Sequence, residues 1–271
     1  RTTQFAGLAE ATGRLAQGEA AILWIGLAFV LGGLAFKIAA VPFHLWAPDV
    51  YEGAPAPVAA FLSTASKAGG FAALLRLLLE GFGNTADTWM PVVFALAFLS
   101  MVVGNLVAIL QTNLKRLLAY SGIAQAGYLL IAVAALASPG ANLGVGACLM
   151  YLMLYALTNV GGFLIAQEIA DQTGSDDIVA LRGLHRRSPG LAFSMLIVLF
   201  SLGGIPPLAG FVGKLYLFAA GWEGKQYALV VAGALVSVIA LYYYLMVALQ
   251  VYIRDPADDR RGVVEHLGHR H

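Results

Sequence analysis

Three lysines, Lys37, Lys67 and Lys214, interrupt stretches that otherwise hold almost only apolar residues. A charge at the centre of a bilayer costs at least about 3 kcal/mol even on the lenient insertion scale, so three of them need a reason. Burial disfavours the charged form of an amine, which lets a desolvated lysine both take and release a proton. Two such lysines about 10 Å apart interact by roughly 1.7 kcal/mol at an effective dielectric of 20, enough for charging one to discharge its neighbour. The chemistry these residues offer is proton relay. Histidine as a residue type titrates near neutrality, and His44, which follows Lys37 across a proline, would extend that relay. A histidine hydrogen-bonded to local carbonyls is the alternative.

Lys67 lies in Ser63-Thr64-Ala65-Ser66-Lys67-Ala68-Gly69-Gly70, where Ser63 and Gly70 share its helical face. Small and hydroxyl residues there permit close helix packing or a water chain. Snorkelling of a lysine toward the headgroups suits Arg76 and fits Lys67 poorly, because apolar or small residues flank it on both sides. No Asp or Glu accompanies the lysines at mid-membrane, so partner carboxylates must come from elsewhere. Ser121, Gln125 and Tyr128 share one helical face, as do Tyr151, Tyr155 and Thr158. They read either as water-holding steps between the lysines or as polar glue between helices. The sequence holds no glycine-rich nucleotide loop, nucleophile elbow or zinc spacing. The lone Cys148 reads as a small buried hydrophobe, and the histidine-rich end Glu265–His271 as a disordered tail without a metal.

The elements that must position these residues follow from composition. Hydrophobic residues make up 60% of the chain and charged ones 11%, against about 25% charged in soluble proteins. A net charge of +1 with no concentrated basic face argues against nucleic acid. Apolar runs at about 20–46, 57–79, 90–111, 117–137, 143–170, 189–220 and 227–253 are each long enough to span a bilayer. Backbone in hydrocarbon must pair internally, so the fold class is all-α, a polytopic membrane bundle of about seven transmembrane helices. Lys115, Arg116, Arg182, Arg186, Arg187, Arg254, Arg260, Arg261 and Arg270 fall on one face, and Arg1, Arg14, Arg76 and Lys225 on the other. The positive-inside rule puts the first set, with the Asp49–Pro57 loop and the C-terminal tail, in the cytoplasm. An opening at Arg1 without a cleavable apolar stretch predicts a piece of a longer protein lacking a signal peptide.

Two runs carry breaks. Pro42 interrupts the first, and Gly203-Gly204-Ile205-Pro206-Pro207-Leu208-Ala209-Gly210 interrupts the sixth. Unwound backbone at membrane depth is tolerated only inside protein or beside a water-filled cavity, and paired breaks mark transporter sites. An odd number of crossings separates them, so the broken helices run in opposite directions, the geometry of an inverted repeat. Residues 1–80 then form the end of one repeat, 90–253 a complete five-helix repeat, and 254–271 the tail. Ordinary proline kinks are the simpler alternative.

These segments resemble a known family. Phe36-Lys37-Ile38-Ala39-Ala40-Val41-Pro42-Phe43-His44-Leu45-Trp46-Ala47-Pro48-Asp49-Val50-Tyr51-Glu52-Gly53-Ala54-Pro55-Ala56-Pro57-Val58, continuing to Ser63-Thr64-Ala65-Ser66-Lys67, is similar to the antiporter-like subunit N of bacterial complex I and to its equivalent in the chloroplast NDH complex. Leu114–Tyr128 and Gly204–Lys214 match its later motifs. The resemblance implies helices seven to thirteen of a fourteen-helix subunit of the bacterial inner membrane. It makes Lys37, Lys67, Lys214 and His44 a proton relay driven by quinone reduction in partner subunits, with an essential glutamate outside this chain paired to Lys37. It implies no cofactor in this chain, with NADH, FMN, Fe–S clusters and quinone in partner subunits of the NADH-quinone oxidoreductase. The expected partners are the antiporter-like M subunit, small membrane subunits such as K, and the lipid bilayer. Related L and M subunits and Mrp-type antiporters carry histidine and lysine where this chain reads Tyr151-Leu152-Met153-Leu154-Tyr155-Ala156-Leu157-Thr158-Asn159, which favours subunit N. The alternatives are an Mrp-type or stand-alone sodium/proton antiporter, and a purely structural membrane subunit.

Overall fold

A computed structural model of the chain describes residues 5–14 and 20–254, and these are all-α. The helices are α1 (Phe5–Arg14), α2 (Ala20–Lys37), α3 (Trp46–Gly53), α4 (Ala56–Phe61), α5 (Lys67–Arg76), α6 (Ala86–Ala108), α7 (Leu114–Ala135), α8 (Leu143–Thr173), α9 (Leu184–Arg187), α10 (Pro189–Gly203), α11 (Ala209–Glu223) and α12 (Tyr227–Tyr252). A π-turn, Leu62–Ser66, joins α4 to α5, and a second, Leu77–Gly81, extends them into one rod over Ala56–Gly81. That rod and α6, α7, α8 and α12 are each long and apolar enough to cross a membrane. The remaining two of the seven runs are broken, as α2 with α3 and as α10 with α11.

α7 is the axis of the bundle. Of its most apolar stretch 94% is buried, against 33 to 50% for the other four spans. An evenly apolar helix with small residues on every side is suited to that place. At Gly104 of α6 an added Cβ would lie 2.6 Å from the backbone nitrogen of Ala124, and at Gly127 of α7 it would lie 2.6 Å from that of Met101. The two helices therefore touch backbone to backbone, which only glycine allows.

Both breaks open with the same hydrogen-bonded cap. Ala39 and Gly204 adopt left-handed backbone with φ of 57° and 80°. Ala39 N–H bonds to Phe36 O and Ala40 N–H to Ala35 O, while Gly204 N–H bonds to Ser201 O and Ile205 N–H to Phe200 O. This is the Schellman pattern, and it ends a helix while satisfying all but its last carbonyls. Pro42 and Pro207 then sit three residues beyond the left-handed residue in each case, where neither could continue a helix. Side chains hold the unwound backbone: Val41 N–H donates to Ser100 Oγ of α6 at 2.9 Å, and Gly210 N–H to Ser201 Oγ of α10 at 3.2 Å.

At one face, adjacent basic residues at the start of α7 reach in two directions. Arg116 Nη1 pairs with Asp49 Oδ1 at 2.7 Å and Glu52 Oε2 at 2.6 Å on α3, and Lys115 Nζ with Asp176 Oδ2 at 3.0 Å. Asp176 and Asp177 belong to the segment between α8 and α10, which also bridges to Asn113. The first broken helix thus ends at the face where the second begins. The segment expected as a loop over Asp49–Pro57 is corrected in part: Trp46–Gly53 is helical, because α3 completes the first broken helix beyond its turn and Pro48 falls in its first turn, where a missing N–H costs nothing. Cys148 is buried and free. The tail, apart from Arg254, lies outside the described residues.

The second break leaves no room for a side chain at Gly210, where a Cβ would stand 1.8 Å from the carbonyl oxygen of Ser201. Gly210→Ala is expected to destabilise by about 3 kcal/mol, the upper end of overpacking costs. Gly69→Ala, where a Cβ meets nothing within 4 Å, should be neutral or slightly stabilising. Thermal unfolding midpoints of the full-length protein in detergent check the pair.

Candidate functional site

Two of the three lysines are buried in the bundle, and both are held by backbone carbonyls. Lys67, the first residue of α5, is 1% exposed and donates through Nζ to Gly122 O of α7 at 2.6 Å. Its ammonium also lies 5.4 Å from the centre of the Tyr155 ring. Lys214 of α11 is 3% exposed and reaches back to the end of α10, donating to Leu202 O at 3.0 Å and Gly203 O at 3.2 Å. Those are the carbonyls left over by the Schellman cap, and a cation at a helix C-terminus is favoured by the helix dipole. The Tyr128 ring lies 4.8 Å from the Lys214 Nζ. A cavity of about 220 Å³ adjoins Lys214, with Gly203, Phe211, Phe218 and Ser237 among its walls.

Lys37 is placed differently. It ends α2, and its side chain is exposed on the described surface. Its stem crosses α5 at Gly70, where a Cβ would stand 3.2 Å from Lys37 Cγ and 2.6 Å from Ile38 Cγ2. Gly70 is therefore the point at which the first break meets the Lys67 helix. His44, in the turn after that break, is buried, with its ring edge-on to Tyr120 at 6.5 Å and its Nδ1 without a hydrogen-bond partner.

Polar side chains of α7 and α8 cluster near the two lysines. Gln125 accepts from the Tyr151 hydroxyl at 2.5 Å and donates to Leu202 O at 3.1 Å, the same carbonyl that Lys214 uses. Ser121 Oγ contacts the Tyr244 hydroxyl. Ser63 accepts from Asn159 Nδ2 at 2.8 Å, one helical turn from Lys67. Tyr155 Oη and Asn159 Oδ1 are buried without a partner in this neighbourhood. Thr158 is less central: it is partly buried and bonds back to Leu154 O of its own helix at 2.8 Å.

Sequence reasoning missed Tyr243 and Tyr244 of α12, together with Asn105 and Asn159. Tyr243 donates to Asn105 Oδ1 at 3.1 Å, and Asn105 Nδ2 in turn donates to Tyr128 Oη at 3.2 Å. The signal was present in the run Tyr242-Tyr243-Tyr244 and in two lone asparagines within apolar stretches. Each carries a polar group that hydrocarbon cannot satisfy, and Tyr243, Tyr244 and both asparagines turn inward, whereas Tyr242 is exposed.

A family profile described as "NADH:quinone oxidoreductase/Mrp antiporter, TM" matches residues 1–240. The chain belongs to this family. Among curated members, the NAD(P)H-quinone oxidoreductase subunit 2 of Microcystis aeruginosa is 48% identical over 241 residues, covering 89% of this chain and 46% of that protein. The NADH-quinone oxidoreductase subunit N of Moorella thermoacetica is 50% identical over 242 residues, covering 89% and 50%. The chain thus spans about half the length of the curated relatives it matches. Among solved structures, a chain of respiratory complex I from Thermus thermophilus superposes with a TM-score of 0.70 at 39% identity, covering 83% of this chain and 48% of that one. A chain of the Mrp complex from Dietzia gives a TM-score of 0.82 at 27% identity, covering 94% and 46%. As a member of this family the chain is a multi-pass membrane protein, in keeping with its five long apolar spans.

Gln125 is the residue on which two helices and the second break converge. Gln125→Leu is expected to lower stability by about 2 kcal/mol through loss of its two interhelical hydrogen bonds. Thr158→Val, which loses a bond to its own helix and a long 3.4 Å contact to Ser201 Oγ of α10, should cost less, about 0.5 kcal/mol. Unfolding midpoints in detergent compare the two.

Proposed function

We propose that this chain is the lysine-bearing membrane portion of a proton-translocating subunit of an NADH-quinone oxidoreductase. The observation that carries the reading is the pair of buried lysines, Lys67 held by the Gly122 carbonyl and Lys214 by those of Leu202 and Gly203, with Gln125 on the same Leu202 carbonyl. A desolvated lysine can exchange its proton, and a cation held only by neutral carbonyls gives it up without breaking an ion pair. Lys37 faces outward, and the remaining half of the longer protein would supply its counter-charge as a carboxylate. His44 would serve the same segment. In this reading protons pass from the cytoplasm, the face of Lys115 and Arg116, to the outside, and the C-terminal tail lies in the cytoplasm. The driving reaction is quinone reduction elsewhere in the complex, so NADH, flavin, iron–sulfur clusters and quinone belong to partner subunits, and the neighbours in the bacterial inner membrane are other antiporter-like and small membrane subunits. No cofactor site is assigned to this chain.

The closeness of the Dietzia Mrp fold supports a second reading, a cation/proton antiporter subunit. Against it, α8 presents Tyr151, Tyr155 and Asn159 to the core where the Mrp-type pattern would place histidine and lysine. Sodium-dependent proton flux in vesicles without an electron donor would favour that reading.

Lys67→Ala in the full-length subunit, within its complex in vesicles, is expected to lower the number of protons translocated per electron and to slow coupled quinone reduction. An unchanged ratio would remove Lys67 from the pathway. If Lys67→Met and Lys214→Met both leave translocation intact, the chain is a structural subunit.

A further inference from the structure

Tyr244 adjoins both lysine sites. Its side chain is fully buried on α12, and its hydroxyl meets Ser121 Oγ. Ser121 directly precedes Gly122, whose carbonyl accepts from Lys67 at 2.6 Å. The ring of Tyr244 lies against Gly203, where an added Cβ would stand 3.4 Å from Tyr244 Cδ2, and the Gly203 carbonyl accepts from Lys214 at 3.2 Å. Gln125, whose side chain spans the same interval, carries an amide. An amide donates from nitrogen and accepts on oxygen, whereas a hydroxyl does both on one atom, so of the two only a hydroxyl can take a proton and release another without tautomerising.

We infer that Tyr244 and Ser121 form the proton-passing link between Lys67 and Lys214, an assignment that rests on the lysine relay proposed above. Lys67 gives an ammonium proton to a water beside the Gly122 carbonyl. That water passes one of its own to Ser121 Oγ as it accepts, and Ser121 releases its original proton to Tyr244 Oη. Tyr244 in turn releases its proton, through a second water, to the neutral amine of Lys214. One O–H or N–H bond forms for each that breaks, no electrons change hands, and the net result is one proton moved. Both hydroxyls then rotate back before the next transfer.

The test uses the full-length subunit in its assembled complex, reconstituted in vesicles, with Tyr244→Phe, Ser121→Ala, Ser121→Thr and Lys67→Ala compared for protons translocated per electron. Tyr244→Phe and Ser121→Ala are expected to fall to the ratio of Lys67→Ala, with assembly retained, while Ser121→Thr keeps the wild-type ratio because it keeps the hydroxyl. A structural role for Ser121 would not be rescued selectively by threonine. If Tyr244→Phe and Ser121→Ala pump at the wild-type ratio while Lys67→Ala does not, the hydroxyl link is wrong and the lysine relay stands. If Lys67→Ala also pumps normally, both fail. Should Tyr244→Phe not assemble, the serine pair decides.

Discussion

An ammonium group inside a hydrocarbon slab is tolerated only where oxygen atoms replace the water it has lost. In a helical membrane protein almost every carbonyl is already committed to its own helix, so oxygen has to be released or shared before a lysine can be buried. Lys214 uses the two carbonyls that the cap at Gly204 leaves behind, and that cap exists because Pro206 and Pro207 prevent α10 from running on. Lys67 shares the carbonyl of Gly122, reachable because no side chain stands there: a Cβ at that position would lie 3.5 Å from Nζ and 2.8 Å from the Tyr155 hydroxyl.

The rest of the bundle serves that constraint. α7 carries Ser121, Gly122, Gln125 and Tyr128, and it can sit at the centre because Gly104, Gly127 and Ala124 let α6 press against it along its length. The ion pairs of Lys115 and Arg116 fix the start of α7 relative to α3 and to the segment after α8. Both broken helices are thereby referenced to one rod. The Arg116 pairs are open to solvent on the carboxylate side and contribute little stability individually, while the Lys115 pair is more buried. Their value lies in register: a one-residue slip of α7 would carry the Gly122 carbonyl away from Lys67.

Much of this was legible in the sequence. Run lengths, the two proline breaks and the buried state of Lys67 and Lys214 follow from the cost of placing polar groups in lipid, and that cost is local. The helical stretch at Trp46–Gly53 was not legible as such, because Ala47-Pro48-Asp49 reads equally as a turn or as the first turn of a helix. The exposure of Lys37 could not be seen either: whether a lysine at the end of a helix faces in or out depends on what packs against it. Tyr244 was missed for a related reason. Its run shows no amphipathic face, since α12 meets both lipid and protein, and only tertiary packing on Gly203 and Ser121 gives its hydroxyl a direction.

The central claim is that Lys67 and Lys214 share one continuous polar path through the bundle. An electron cryo-microscopy map of the intact complex, at a resolution that shows water, tests this most directly. Ordered water density joining Lys67 Nζ to the Ser121 and Tyr244 hydroxyls, and onward to Lys214, is the predicted result. Dry apolar packing between the two lysines, or either side chain turned into lipid, would contradict it.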